Sequence, residues 1–238
     1  MKDNKGAGIG FDLLSRNTDV YGEKGVYMQA LNKYVLPSIT SKNKFLDIGS
    51  GPGNLTMILS KLFDETVIVE PDRKFFNIVT NSISCEGFNK KWEEADIGED
   101  KFDLILAIHI FYYIDKKDWV LQVKRMINAL NKNGKVVIVL ESKKSHLYTF
   151  PNQFLKNESH INSEELMRML LENNIKFTSH LLTFNIWANG EKEAGILGNF
   201  MLDAHSVLKN DTRALALWNH KGNKFYVTCK DGLMIIEK

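Results

Sequence analysis

One stretch constrains the fold of this chain more than any other: Phe45-Leu46-Asp47-Ile48-Gly49-Ser50-Gly51-Pro52-Gly53-Asn54-Leu55-Thr56. A short apolar run carrying an acid enters three glycines at alternate positions. The helical segment that follows keeps Leu55, Ile58, Leu59 and Leu62 at the i, i+3, i+4, i+7 spacing of one buried face. Glycines let a backbone come close to a ligand at the carboxyl edge of an open α/β sheet, which is where such sheets bind their ligands. Strand, glycine turn and helix in this order predict the first part of a βαβ unit with a cofactor at its turn.

The same alternation continues downstream, as in a parallel sheet. Strands are expected at Thr66 to Glu70, Phe88 to Trp92, Phe102 to Ile110 and Val136 to Leu140. Pro71 and Asp72 suit the first turn of a helix. A second helix runs from about Lys116, with Trp119, Val123, Ile127 and Leu130 on one face and Asn133-Gly134 at its end. Asn162-Ser163-Glu164-Glu165 reads as a cap before Leu166, Met169 and Leu170. Two regions stand outside the alternation: residues 9–36, largely helical, and residues 187–218, with the helical spacing Ile196, Phe200, Ala204, Val207 after a sixth strand. Either region is placed to cap the sheet's carboxyl edge. At the end, Lys224 to Cys229 and Leu233 to Glu237 flank Asp231-Gly232 and read as a hairpin with a primed turn.

Composition narrows the function. The 238 residues are 44% apolar, enough for one sizeable core, and the formal charge is only +2 from 31 basic and 29 acidic residues. No strong field exists to attract a polyanion, so nucleic acid is not an expected partner. Two cysteines, Cys85 and Cys229, give neither a disulfide framework nor a metal cluster, and point to a reducing compartment. No apolar run approaches the roughly 18 residues of a membrane helix, and the first residues lack a signal-peptide core. A cytoplasmic protein with no membrane partner is expected, as a monomer or weak homodimer.

The dinucleotide fingerprint would need a third glycine where Asn54 stands. The segment instead resembles the motif of class I S-adenosylmethionine-dependent methyltransferases. The resemblance implies their Rossmann-like fold, a mostly parallel sheet flanked by helices, and S-adenosylmethionine as cofactor. It implies that Asp47, Gly49, Ser50, Gly51 and Gly53 face the methionine part of that cofactor. Glu70, followed by Pro71, stands where a carboxylate grips the two ribose hydroxyls, an acceptor type suited to vicinal donors. Asp96-Ile97 matches the adenine position, and Ala107 and His109 lie at the end of the fourth strand beside the cofactor.

A narrower likeness, to the histamine N-methyltransferase-like branch, rests on Val26-Tyr27-Met28-Gln29 with Leu36-Pro37, on Phe111-Tyr112-Tyr113-Ile114 and on Leu233-Met234-Ile235-Ile236-Glu237. It implies an N-terminal helical lid over residues 1–40 and a methyltransferase domain over 41–238 with a substrate-capping insertion around 185–220. A substrate-contacting glutamine of that branch is replaced by His109. Its substrate glutamate falls near Glu23 or Lys24, and its C-terminal asparagine on or near Cys229.

An amine must be neutral to attack a methyl group, so His109 or Glu23 is a candidate to take its proton, with Tyr113 beside them. Phe11, Tyr27, Tyr112 and Tyr113 are candidate walls for a cationic substrate, and His146 follows the fifth strand near the same pocket. No metal ligands are spaced for binding. The expected function is methyl transfer to a small-molecule nitrogen, of an amine or imidazole type. The alternatives are a small-metabolite O-methyltransferase, a nucleic-acid or protein methyltransferase, and a non-catalytic cofactor-binding module. An Asn/Asp-Pro-Pro-aromatic run after the fourth strand would favour nucleic acid, and the chain reads His109-Ile110-Phe111-Tyr112 instead.

Overall fold

The structure is a computed structural model that describes residues 13–14, 17–18, 20–98, 101–152, 161–203, 215–221 and 224–238. Eight strands, β1 (Lys44–Ile48), β2 (Glu65–Val69), β3 (Glu86–Phe88), β4 (Phe102–Ile108), β5 (Leu130–Glu141), β6 (Thr178–Asn189), β7 (Asn219–Lys221) and β8 (Lys224–Glu237), form one sheet. The order is β3-β2-β1-β4-β5-β8-β6, with β7 paired to β8. Strands β1 to β5 run parallel, and β8 lies antiparallel between β5 and β6. Chain order reverses direction on either side of β1, so a crevice opens at the carboxyl ends of β1 and β4.

Apolar side chains divide between the two faces of the sheet. One face meets α1 (Val26–Tyr34), α2 (Thr56–Leu59) and α7 (Glu191–Asp203), where Tyr27, Met28, Leu31, Leu59, Ala194 and Leu197 pack on Phe45, Leu104, Val137 and Leu233. The other face meets α4 (Trp119–Asn128) and α6 (Ser163–Glu172) through Trp119, Val123, Met126, Leu166 and Leu170. Two more helices, α3 (Arg73–Ser82) and α5 (His146–Asn152), complete the described set. The cap expected at Asn162 forms, its side chain accepting from the amide of Glu165, whereas Pro71 and Asp72, expected in the first turn of a helix, precede α3, with Asp72 capping it by accepting from the amides of Lys74 and Phe75. No helix among the described residues is long and apolar enough to cross a membrane.

Several local expectations are corrected. The terminal hairpin does not exist: β8 is one strand of 14 residues, and Asp231 and Gly232 pair inside it with Glu141 and Leu140 on one side and with Leu182 and Leu181 on the other. A turn signal is overridden because β5 and β6 both supply ladders to those residues. Trp92 belongs to a single 3-10 turn (Trp92–Glu94), since its indole is buried and the strand stops at Phe88. Helix α4 ends at Asn128 rather than Asn133-Gly134, and Leu130 already pairs with Phe102 across a register shift. The sixth strand runs to Asn189, so Trp187 is strand and the following helix starts at Glu191. Ala204 and Val207 lie outside the described residues.

Beyond the level of Glu141 and Asp231, β8 and β6 continue as a ribbon to Lys224 and Asn189, with β7 joining the other edge of β8 at Lys224 to Tyr226. Thr18 bridges to Ile186, and the Trp187 amide donates to Asn17 O at 2.8 Å. Helix α1 packs against this ribbon above the crevice, with Tyr27 against Phe184 at 6.1 Å between ring centres.

Candidate active site

The crevice at the end of β1 is shaped by backbone. Gly49, Gly51 and Gly53 all hold positive φ, of 75°, 53° and 84°. A Cβ on Gly49 would stand 2.5 Å from the Ile110 side chain, so the turn is open only to glycine on both grounds. The Ser50 hydroxyl beside it is buried and has no hydrogen-bond partner among the described residues. A buried polar atom of this kind calls for an incoming partner.

Two buried carboxylates face this turn. Asp47 accepts the Thr56 hydroxyl at 2.6 Å. Burial, with a smaller push from Glu70, lifts its pKa to about 7 against the pull of the Thr56 bond. Glu70 follows β2, and its two oxygens accept from the amides of Gly51 and Asp72, each at 2.8 Å. Burial also raises Glu70, and these two amide bonds offset part of the rise. A carboxylate has about four acceptor positions, so two remain for a diol. Asn89 donates to Glu70 O at 2.8 Å and to Pro71 O at 3.1 Å, fixing the segment that presents this carboxylate.

On the far side of the turn, Asp96 is exposed and accepts the Gly98 amide at 3.0 Å, while Ile97 is buried. Arg125 of α4 holds the carbonyls of Trp92 and Ala95 and lies 4.0 Å from the Trp92 ring centre, which sets the backbone just before Asp96. The donor set around β1 and β2 therefore fits the expected cofactor: an open glycine turn, an orphaned hydroxyl, one acid at the strand and one at the edge.

A second cluster sits beside it at the ends of β4, β5 and β8. His109 follows β4 in the left-handed region, φ 55°, where histidine is tolerated better than bulkier residues, and its amide donates to Val139 O at 2.9 Å. Its Nε2 lies 2.8 Å from the Tyr27 hydroxyl and 3.3 Å from Asp231 Oδ2. The Tyr27 hydroxyl itself donates to Asp231 Oδ2. Tyr112 lies nearly parallel to the imidazole, 11° and 5.8 Å between ring centres, and its hydroxyl accepts the Glu141 amide at 3.2 Å. Burial drives Tyr27 and Tyr112 far above the usual phenol range. Asp231 adds to the rise at Tyr27, and Glu141 with Asp231 at Tyr112. Burial, reinforced by Asp231, lifts Glu141 to about 8.

The residues expected from sequence divide clearly. Asp47, Gly49, Ser50, Gly51, Gly53 and Glu70 gather at one turn, and Tyr27, His109 and Tyr112 gather at the neighbouring cluster. Pro71 is exposed beside Glu70. Ala107 is fully buried inside β4 between Ile48 and Ile138, so it presents no surface to a ligand. Tyr113 is 82% exposed and Glu23 is exposed in the turn before α1, so neither joins the buried cluster. His146 bonds Leu217 O at 3.1 Å instead of meeting His109. Cys229 is buried in the core, its thiol pushed up by burial and then by Asp231 and Glu141. Phe11 lies outside the described residues. Among the described residues no group of His, Cys, Asp and Glu is arranged to hold a metal.

Sequence reasoning missed Thr56, Asn89, Arg125, Glu141 and above all Asp231. One signal for Asp231 was present: Phe225, Val227, Cys229, Asp231, Leu233 and Ile235 keep strict period-2 spacing straight through the supposed turn.

Comparison with known proteins completes the description. The family profile described as methyltransferase domain matches residues 22–180. No curated protein sequence matches the chain. Among solved structures, the YcgJ protein of Bacillus subtilis is similar with a TM-score of 0.58 and 14% identity, over 89% of this chain and 98% of that one. A SAM-dependent methyltransferase of Leishmania major gives 0.56 and 16%, over 99% and 85%. N-methyltransferase NodS of Bradyrhizobium japonicum, in complex with S-adenosyl-L-homocysteine, gives 0.53 and 12%, over 96% and 98%. At these identities the likeness is one of fold.

Proposed function

The chain belongs to the methyltransferase-domain family, and on that premise we propose that it methylates the nitrogen of a small amine or imidazole-type acceptor held between the glycine turn and His109. S-adenosylmethionine is the methyl donor, and when bound it supplies an electrophilic methyl group for in-line displacement from a sulfonium. In this reading Asp47 and the turn at Gly49 to Gly53 hold its methionine part, Glu70 its ribose, and Asp96-Ile97 its adenine. The observation that carries the acceptor class is the partly exposed imidazole of His109 stacked on Tyr112 and backed by the buried Tyr27 and Asp231, a base beside an aromatic face suited to an amine. His109 receives the proton that the amine must lose before it attacks. The narrower likeness to the histamine N-methyltransferase-like branch supports nitrogen as the acceptor atom. In the same reading the lid of residues 1–40 and the capping segment around 185–220 serve the carboxyl edge, supported by their described parts, α1 and the β6–β8 ribbon, while residues 1–12 and 204–214 lie outside the described residues.

The test is a panel of amines, imidazoles, phenols and thiols screened for release of S-adenosylhomocysteine. Turnover confined to nitrogen acceptors is expected, and confinement to phenols or thiols would sink the proposal. With the acceptor found, His109→Ala should lower turnover by about 10²–10⁴-fold, the usual worth of a general base. Its affinity for S-adenosylhomocysteine should stay nearly unchanged.

A further inference from the structure

A tyrosine hydroxyl has a single proton, and that of Tyr27 goes to Asp231 Oδ2. A carboxylate oxygen only accepts, so the Tyr27 oxygen is left to accept from its other neighbour, His109 Nε2, at 2.8 Å. Nε2 also faces Asp231 Oδ2 at 3.3 Å, a second acceptor. Both contacts demand a proton on Nε2. Neutral imidazole carries one proton, so Nδ1 keeps a free lone pair. Nδ1 makes no hydrogen bond among the described residues, and the His109 side chain remains 31% exposed. The Tyr112 ring, stacked at 11°, fixes the plane of the imidazole.

We propose that Asp231 and Tyr27 are positioning residues that lock His109 as the Nε2–H tautomer, presenting Nδ1 as the proton acceptor of the methyl-transfer reaction. This rests on the amine reading given above. An ammonium acceptor gives one proton to Nδ1 and becomes neutral, and its freed lone pair forms the bond to the methyl carbon as the sulfur–carbon bond breaks. His109 is then a cation flanked at Nε2 by Tyr27 and Asp231, and the proton leaves to solvent from Nδ1. Asp231 stabilises that imidazolium without taking the proton, the arrangement by which a buried acid serves a catalytic histidine. The other titratable groups facing the site are Tyr21 before α1, Tyr112 after β4, Glu141 on β5 and Cys229 on β8. Tyr21 lies edge-on to Tyr27 at 5.9 Å and backs it from outside. Sequence gave no access to this device, because Tyr27 and Asp231 are 204 residues apart.

The test reads the two imidazole nitrogens of His109 by nitrogen-15 NMR in the ligand-free chain, assigned by their loss in His109→Asn. Nε2 should carry the proton and Nδ1 should resonate as the bare nitrogen. In Asp231→Asn, which keeps the shape of the side chain, and in Tyr27→Phe, the signals should move toward a mixture of tautomers. In turnover, both variants should lose about 10- to 100-fold in kcat, no more than the range for the base itself, with little change in cofactor KM. The rise of kcat/KM on the acid side should move to lower pH in Asp231→Asn, since the imidazolium has lost its anion. A proton on Nδ1 in the native chain, or a tautomer unchanged in both variants, overturns the proposal. Should Tyr27→Phe not fold, Asp231→Asn alone decides. Because the nitrogen signals need no acceptor, a locked Nε2–H tautomer in a chain that methylates no amine upholds the lock and overturns only the amine reading.

Discussion

Asp47 and Glu70 are both buried carboxylates at one glycine turn, yet their surroundings differ. Glu70 has two backbone amides at its oxygens, whereas Asp47 has a single hydroxyl and a pKa of about 7. In the role proposed for it, holding the cationic amino group of the methionine part, Asp47 must be charged. Affinity for S-adenosylhomocysteine should therefore rise between about pH 6 and 8, and calorimetry on Asp47→Asn should show that rise abolished. The same substitution should raise the melting temperature of the ligand-free chain at pH 8, since it removes a buried charge that nothing but Thr56 relieves. Glu70→Ala should leave a folded protein that has lost most of the thermal shift caused by S-adenosylhomocysteine. An unchanged shift would mean the ribose is held by another group.

Among the elements, β8 carries the sharpest disagreement between sequence and structure. Asp-Gly between apolar runs is the strongest short-range signal for a hairpin. Here it lost to tertiary context, because Gly232 runs beneath the N-terminal turn of α6, where a Cβ would overlap Ser163. Gly232→Ala should cost about 1–3 kcal/mol by overpacking, and Ser163→Gly should recover much of that loss in a double-mutant cycle followed by denaturant unfolding. A hairpin turn would show no such rescue, since there the cost would lie in backbone dihedrals. The strands and the helix start around the glycine turn were legible because they announce themselves locally, by β-branched runs and by Pro71-Asp72, but the buried helical face expected from Leu55, Ile58, Leu59 and Leu62 is corrected: α2 ends at Leu59 and Leu62 is 38% exposed. Trp92 and Leu130 were misread for a related reason, as their apolar character marks burial and says nothing of the element that supplies it.

For the molecule as a whole, two acids lifted into the physiological range set the dependence of stability on pH. Asp47 is pushed to about 7 and Glu141 to about 8, so the folded chain holds protons that the unfolded chain releases at its ordinary carboxylate values. The stability from those protons is complete below the ordinary carboxylate range and is lost as pH rises through about 7 and 8. The melting temperature of the ligand-free chain should accordingly fall from about pH 5 to 8, and Glu141→Gln combined with Asp47→Asn should flatten the curve. The half of the site proposed to hold the cofactor is drawn from residues 45–97 and could be read in order. The other half joins α1, the end of β4, β5 and β8, and only the folded sheet brings Tyr27, His109 and Asp231 together. Strand β8 lies between β5 and β6 yet follows both in the chain. Strands β5 and β6 therefore cannot be joined in one sheet until residues 224–237 are available to lie between them. A chain lacking that segment still carries the glycine-turn residues 49–53, but it lacks Asp231, the acceptor of the Tyr27 hydroxyl, and the β8 half of the ribbon against which α1 packs. With the roles proposed above, a chain cut short of residue 231 keeps the residues assigned to the donor and lacks the acid assigned to orient His109.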